Sequence, residues 1–236
     1  MNNEAVKEWY NNFSNKQSTI GVNVRHYTIM NYLIDAGLKK DHNILEIGCG
    51  IGTLTSLIAK YVKGEIVATD ISDKSIQLAR ENLGKRKNID FVVTDMNSFE
   101  YPEMFDFVVL PDVLEHIPSQ DHAQLFECIS KLMHDESIIV IHIPHPTALD
   151  YIRQHTPEKL QIIDQSLQAD MIMETVYAKD LILVHYEAYS LTNEQPDYVL
   201  IKLKKKLPYK IFDPLKKKRI IYKKMLARIK FAIARF

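Results

Sequence analysis

The chain has 236 residues, 46% apolar and 25% charged, with 7 Gly and 9 Pro, a balance close to ordinary globular proteins and far from fibrous or disordered ones. At roughly 150 residues per domain, this length holds one domain with an appendage. No apolar run approaches the ~18 residues that span a bilayer, and the polar start MNNEAVKEWYNN does not read as a secretory signal, so a cytoplasmic protein with Cys49 and Cys128 as reduced thiols is expected. The formal charge of zero conceals an asymmetry. Residues 202–236 hold 14 of the 30 Lys and Arg and one acid, Asp213, for a charge of +13, leaving −13 on the rest of the chain.

In chain order, Glu4 to Phe13 and Val24 to Ala36 read as helices. Short apolar runs then alternate with helix-like stretches. Strands are expected at Asn43 to Ile47, Glu65 to Thr69, Ile89 to Val93, Phe105 to Leu110 and Ser137 to Ile143, and helices at Thr53 to Val62, Asp73 to Asn82 and Ser119 to His134. Runs apolar on both faces suit a parallel sheet covered by helices on both sides. Ser72, Asp73 and Ser119 are candidate N-caps. Residues 147–178, rich in Met, Ile and Gln, read as a helical insertion over the sheet's end and as a substrate lid. Asp180 to Ser190 and Asp197 to Lys204, separated by LTNEQP, are expected to close the sheet as an antiparallel hairpin. The organisation expected is therefore a helical cover over 1–40, an α/β domain over 41–204 with a mostly parallel Rossmann-like sheet, and a basic extension over 205–236.

The stretch ILEIGCGIGTLT, residues 44–55, places Gly48, Gly50 and Gly52 directly after an apolar strand and before a helix. Glycine permits the tight turn and removes the Cβ that would keep a ligand from the backbone amides. A dinucleotide fingerprint would put its third glycine at position 53, which is Thr53, and Glu46 would repel a pyrophosphate. A cationic ligand suits that acid better. Asp70 closes the second strand, 18 residues after Gly52, where a carboxylate can accept both hydroxyls of a ribose. Asp95 follows the third strand and Asp112 the fourth. In an open α/β sheet these strand ends converge on one crevice.

With these motifs in order over about residues 40–145, the chain resembles the class I S-adenosylmethionine-dependent methyltransferases. The resemblance implies S-adenosylmethionine as cofactor. It implies that Glu46, Gly48, Gly50 and Gly52 lie under the methionine portion, that Asp70 with Ile71 meets the ribose, that Asp95 and Met96 flank the adenine, and that Leu110 to Asp112 lie beside the sulfonium. Tyr10, Arg25 and His26 are the candidates to close over the cofactor. For a hydroxyl acceptor a base is needed, and His116 in LEHIP and His142 in IHIPHP are the candidates. A divalent metal on Asp112, Glu115, His116 and His142 is possible but not favoured.

In the basic extension Tyr222, Met225, Leu226, Ile229, Ile233 and Phe236 follow helical spacing, with Lys and Arg on the other faces. Such a helix suits an anionic membrane surface, with packing on the protein itself or gripping RNA phosphates as alternatives. The expected reaction is methylation of a hydroxyl on a glycan, glycolipid or small molecule near the membrane. An RNA methyltransferase and a non-catalytic cofactor-binding partner protein are the rival readings.

Overall fold

The computed structural model of the protein describes residues 6–11, 21–209 and 217–233. Residues 6–11 are helical (α1); the outer residues of the helix expected from Glu4 to Phe13 lie outside the described ones. Then come α2 (Val24–Asp35), β1 (Ile44–Ile47), α3 (Thr53–Tyr61), β2 (Ile66–Asp70), α4 (Asp73–Leu83), β3 (Ile89–Val93) and β4 (Phe105–Pro111). They are followed by α5 (His122–Lys131), β5 (Met133–Pro144), α6 (Pro146–His155), α7 (Ala169–Ala178), β6 (Leu181–Tyr189), β7 (Tyr198–Lys205) and α8 (Lys217–Ile233). Contacts group the chain into two units, Met1–Lys206 and Leu207–Phe236.

All seven strands form one sheet in the order β3-β2-β1-β4-β5-β7-β6. β1 to β5 pair in parallel, and β7 runs antiparallel to both β5 and β6. This is the Rossmann-like α/β architecture expected, with the hairpin closing one edge. β1 is buried along its whole length, as a central parallel strand with helices on both faces must be. One face packs Leu45, Val108 and Ile141 with Phe126 and Ile129 of α5 and Val176 of α7. The other packs Ile44, Phe107 and Val140 with Ile29 and Leu33 of α2 and Ile58 of α3. The chain leaves β1 towards β2 and β3, then returns to β4 on the other side. That reversal opens a crevice beyond the strands' carboxyl ends.

Four local expectations need correction. The helix expected from Ser119 to His134 begins as a 3-10 turn, Ser119–Asp121, and ends at Lys131. Met133 pairs with Phe105, so β5 starts four residues earlier than its apolar run suggested. Ser119 caps nothing, whereas the Ser72 hydroxyl accepts the Ser75 N–H at 3.0 Å and caps α4. The insertion is helical only at its ends, α6 and α7, joined by an irregular stretch carrying a 3-10 turn at Pro157–Lys159.

Candidate active site

The turn after β1 is built from left-handed backbone. Gly48, Gly50 and Gly52 have φ of +77°, +54° and +83°, angles that side chains other than glycine rarely adopt. A Cβ on Gly48 would stand 2.5 Å from Val113 Cγ2, so this position is closed twice over. A Cβ on Gly52 would meet Leu83 at 3.0 Å and Ala79 at 3.4 Å. Gly52 lines neither chamber described below; it starts α3 and lets α4 pack close. The Gly48 and Cys49 amides both donate to the Thr69 carbonyl at 2.8 Å, tying the loop to β2.

Two chambers open on either side of this loop. The first, about 160 Å³, is lined by Tyr10, Gly48, Gly50, Asp70, Ile71, Asp95, Met96, Asp112, His116 and others. The second, about 380 Å³, shares Gly48, Gly50, Asp112 and His116, and adds Arg25, His26, Glu46 and Glu115 with Leu149, Ile152 and Asp164 of the insertion. The crevice thus brings together Glu46, Gly48, Gly50, Asp70, Ile71, Asp95, Met96, Asp112, Tyr10 and Arg25. Leu110 is wholly buried in the core and lines neither chamber. Of residues 110–112, Pro111 and Asp112 reach the cavity.

In the first chamber, Asp70 accepts from Gly50 N–H at 2.8 Å and Ser72 N–H at 2.9 Å. Burial raises its pKa and these amides oppose the rise. Met96 is held at φ +66° with its side chain in the core, and Asp95 stays exposed, accepting from Asn97. Tyr10 sets its ring edge-on to His116, 6.1 Å between centroids.

Glu46 is the unusual group. It is fully buried beneath the glycine loop, and neither carboxylate oxygen has a hydrogen-bond partner. Burial pushes its pKa up to about 8; the Thr55 hydroxyl nearby opposes the rise without meeting hydrogen-bond geometry, and Asp70 adds to it. A buried carboxylate without a donor is costly to ionise, and a cation above it removes that cost.

Asp112 is held at φ +55° at the end of β4. Its Oδ1 lies 2.5 Å from His142 Nδ1 and its Oδ2 lies 3.1 Å from Arg25 Nε. Burial would raise its pKa, but His142 and Arg25 outweigh this and hold it at about 2. His142 is completely buried, its Nε2 is 2.6 Å from the Tyr189 hydroxyl, and its ring stacks on Tyr198. It lines neither chamber. His142, expected as a catalytic residue, thus stands behind Asp112 and away from both chambers.

His116 lines both chambers. Its Nδ1 is 2.6 Å from the Ile163 carbonyl and 3.1 Å from Asp164 Oδ1, and its Nε2 is 3.6 Å from Glu115 Oε1. Burial alone would lower its pKa; Glu115, Asp164 and the Ile163 carbonyl outweigh it and raise the value to about 9. His116 is an imidazolium at neutral pH and has no free lone pair to take a proton there. His26, by contrast, accepts the Asn23 N–H on Nδ1. Burial and Arg25 lower its pKa to about 4, so it is neutral. Among the described residues no group of three or more His, Cys, Asp or Glu is arranged to hold a metal ion.

Residues 44–136 match the family described as methyltransferase domain. This stretch carries the sequence pattern of a methyltransferase domain. The ribosomal protein L11 methyltransferase of Thermotoga neapolitana is 29% identical over 124 residues, 52% of this chain and 44% of that protein. Malonyl-[acyl-carrier protein] O-methyltransferase 1 of Ilyobacter polytropus is 32% identical over 98 residues, 41% of this chain and 36% of that protein. The chain thus spans less than half the length of these two curated relatives. Among solved structures, the magnesium protoporphyrin IX methyltransferase (ChlM) from Synechocystis PCC 6803 with bound SAH superposes with a TM-score of 0.66 at 16% identity, covering 86% of this chain and 99% of that one. The methyltransferase fold therefore extends well beyond the matched stretch.

The site fits S-adenosylmethionine on its own chemistry. The unpartnered Glu46 carboxylate suits the ammonium, Arg25 the carboxylate, and Asp70 the ribose, with the Gly48 backbone open to close approach. The Glu46 signal was legible in the sequence. Asp164 and Gln161, which line the second chamber, lie in the insertion and follow no motif; Tyr189 and Tyr198 come from the hairpin and meet Arg25 and His142 only through folding.

Proposed function

We propose that this protein is an S-adenosylmethionine-dependent methyltransferase acting on a hydroxyl of a glycan, glycolipid or other small molecule at an anionic membrane surface. The observation that carries the cofactor assignment is Glu46: a buried, unpartnered carboxylate under a glycine loop, with Asp70 on the adjoining strand end. S-adenosylmethionine supplies an electrophilic methyl group, and the protein supplies position and a proton acceptor. A hydroxyl acceptor is favoured because the second chamber combines an apolar wall, Leu149 and Ile152, with hydrogen-bond acceptors, Glu115 and Gln161. The two curated relatives are named for different acceptors.

The membrane part rests on α8. Ile221, Tyr222, Met225, Leu226 and Ile229 are exposed, among Lys223, Lys224 and Arg228. An exposed apolar stripe flanked by basic residues gains from both burial and charge at an anionic leaflet; phosphate binding alone would not use the apolar side chains. Ile233 lies at the helix's end and Phe236 outside the described residues. No described helix is long and apolar enough to cross a membrane.

Two experiments test this. Methyl-tritiated S-adenosylmethionine is incubated with the protein and extract of the source cells, then lipid, polysaccharide, RNA and small-molecule fractions are counted against an Asp70→Ala control. Label in lipid, polysaccharide or small molecules supports the proposal; label in RNA alone contradicts it. Flotation with phosphatidylglycerol vesicles at low salt then compares the full chain with one ending at Lys206, which leaves β7 whole. Equal failure of both to float removes the membrane part.

A further inference from the structure

The second chamber, which also holds Arg25 and Glu46, contains a carboxyl group that the cofactor does not need. Glu115 is 1% exposed, lines the chamber, and has no hydrogen-bond partner on either oxygen. Its nearest cation, His116 Nε2, stands 3.6 Å away, beyond hydrogen-bonding distance. The chamber is also lined by Gln161, which it shares with the first chamber and whose Oε1 is likewise buried without a donor. Buried acceptors left unpaired are costly, so these two groups call for hydrogen-bond donors. Lid and turn are also tied together here. Gln165 donates from its backbone N–H to the Glu115 carbonyl at 3.0 Å and from Nε2 to the Ile117 carbonyl, and Asp164 accepts from Gln161 N–H at 2.6 Å. The turn that carries Glu115 and the insertion that carries Gln161 are therefore held to one another.

We propose that the part of this chamber lined by Glu115, Gln161, Leu149 and Ile152, as distinct from the Arg25 and Glu46 part that suits the cofactor's methionine end, is the acceptor site, and that Glu115 is the catalytic base, receiving the proton of the acceptor hydroxyl while Gln161 orients a second donor on the same molecule. The inference rests on the hydroxyl-methylation reading above. In the step, the acceptor oxygen keeps the electron pair of its O–H bond and forms the new bond to the methyl carbon. The pair of the broken S–CH3 bond stays on sulfur, and the proton passes to Glu115. The products are methylated acceptor, S-adenosylhomocysteine and a neutral Glu115. His116, the base expected from the sequence, instead holds Asp164 and the Ile163 carbonyl and keeps a positive charge beside Glu115.

The charged and titratable groups facing Glu115 are His116, Asp112 and Asp164, with Arg25 from α2 and Tyr10 from α1. Burial pushes its pKa up to about 8 against the opposing pull of His116. Below that value the fraction of active base falls tenfold per pH unit, so transfer rises with pH and levels near pH 8.

The test uses the full chain, the acceptor fraction labelled by the wild type, and Glu115→Gln and Glu115→Asp variants. Expected for Glu115→Gln is S-adenosylmethionine affinity within about threefold of wild type, S-adenosylhomocysteine release lowered by about 100-fold or more, and loss of the rise between pH 6 and 8. Glu115→Asp should keep the pH slope at a lower rate. A readout without turnover accompanies these: removing the buried carboxyl should flatten the decline of the ligand-free melting temperature between pH 6 and 8. Release by Glu115→Gln within threefold of wild type, or with the same pH slope, overturns the base alone. Cofactor binding by the wild type with no S-adenosylhomocysteine from any fraction overturns the methyltransferase reading and the base with it.

Discussion

Glu46 and His116 show two ways in which a fold sets the charge state of a site, burial for the carboxyl and neighbouring acceptors, against burial, for the imidazole. Folded pKa values of about 8 for Glu46 and Glu115 and about 9 for His116 all exceed their unfolded values, so each group binds its proton more tightly in the fold. Stability from these groups is present at mildly acid pH and is lost as pH rises, through about 8 for the carboxyls and about 9 for the imidazole. The melting temperature of the ligand-free protein is therefore expected to fall between pH 6.5 and 8.5, and Glu46→Gln should lessen the fall while weakening S-adenosylmethionine binding at least tenfold. A flat profile in the wild type would contradict these charge states. Gly48→Ala adds a methyl at φ +77° and 2.5 Å from Val113; a loss of roughly 1–3 kcal/mol in denaturant stability and of cofactor binding is expected. Glu46, Asp70 and the glycines were legible because turn geometry and ligand contact both restrict residue type. The state of His116 was not, because it depends on burial and, besides the adjacent Glu115, on Asp164, 48 positions away.

At the scale of elements, the hairpin does more than close the sheet. Tyr189 ends β6 and Tyr198 begins β7, and together they meet His142 and Arg25, which in turn hold Asp112 at both oxygens. Asp112 sits between the two chambers, so its orientation affects both. His142→Phe keeps the stacking on Tyr198 but removes the link to Asp112; cofactor affinity measured by calorimetry should drop about tenfold with the fold intact, and unchanged affinity would show that Asp112 needs no such support. Strand positions were readable from the sequence because apolar parallel strands are short and sharply bounded. The start of β5 was not, since His134, Asp135 and Glu136 carry no strand signal and lie in an irregularity between the Met133–Phe105 pair and the Ile138–Phe107 pair. The irregular middle of the insertion was also beyond periodicity, because its order comes from contacts such as Arg153 with Asp150, Ser166 and the Asp164 carbonyl.

For the whole molecule, the charge asymmetry and the division into Met1–Lys206 and Leu207–Phe236 describe a catalytic unit and a basic helix of separate character. A chain ending at Lys206 is expected to keep its cofactor affinity and lose vesicle binding. The central claim is that the crevice beneath the glycine loop seats a cationic cofactor on Glu46, and calorimetric titration of S-adenosylmethionine at pH 6 and pH 7.5 tests it most directly, with adenosine as the uncharged comparison. With a free Glu46 pKa of about 8, binding must release its proton, so affinity should tighten about tenfold or more across that range for S-adenosylmethionine and stay level for adenosine. Absence of binding, or the same pH response from adenosine, would contradict the account.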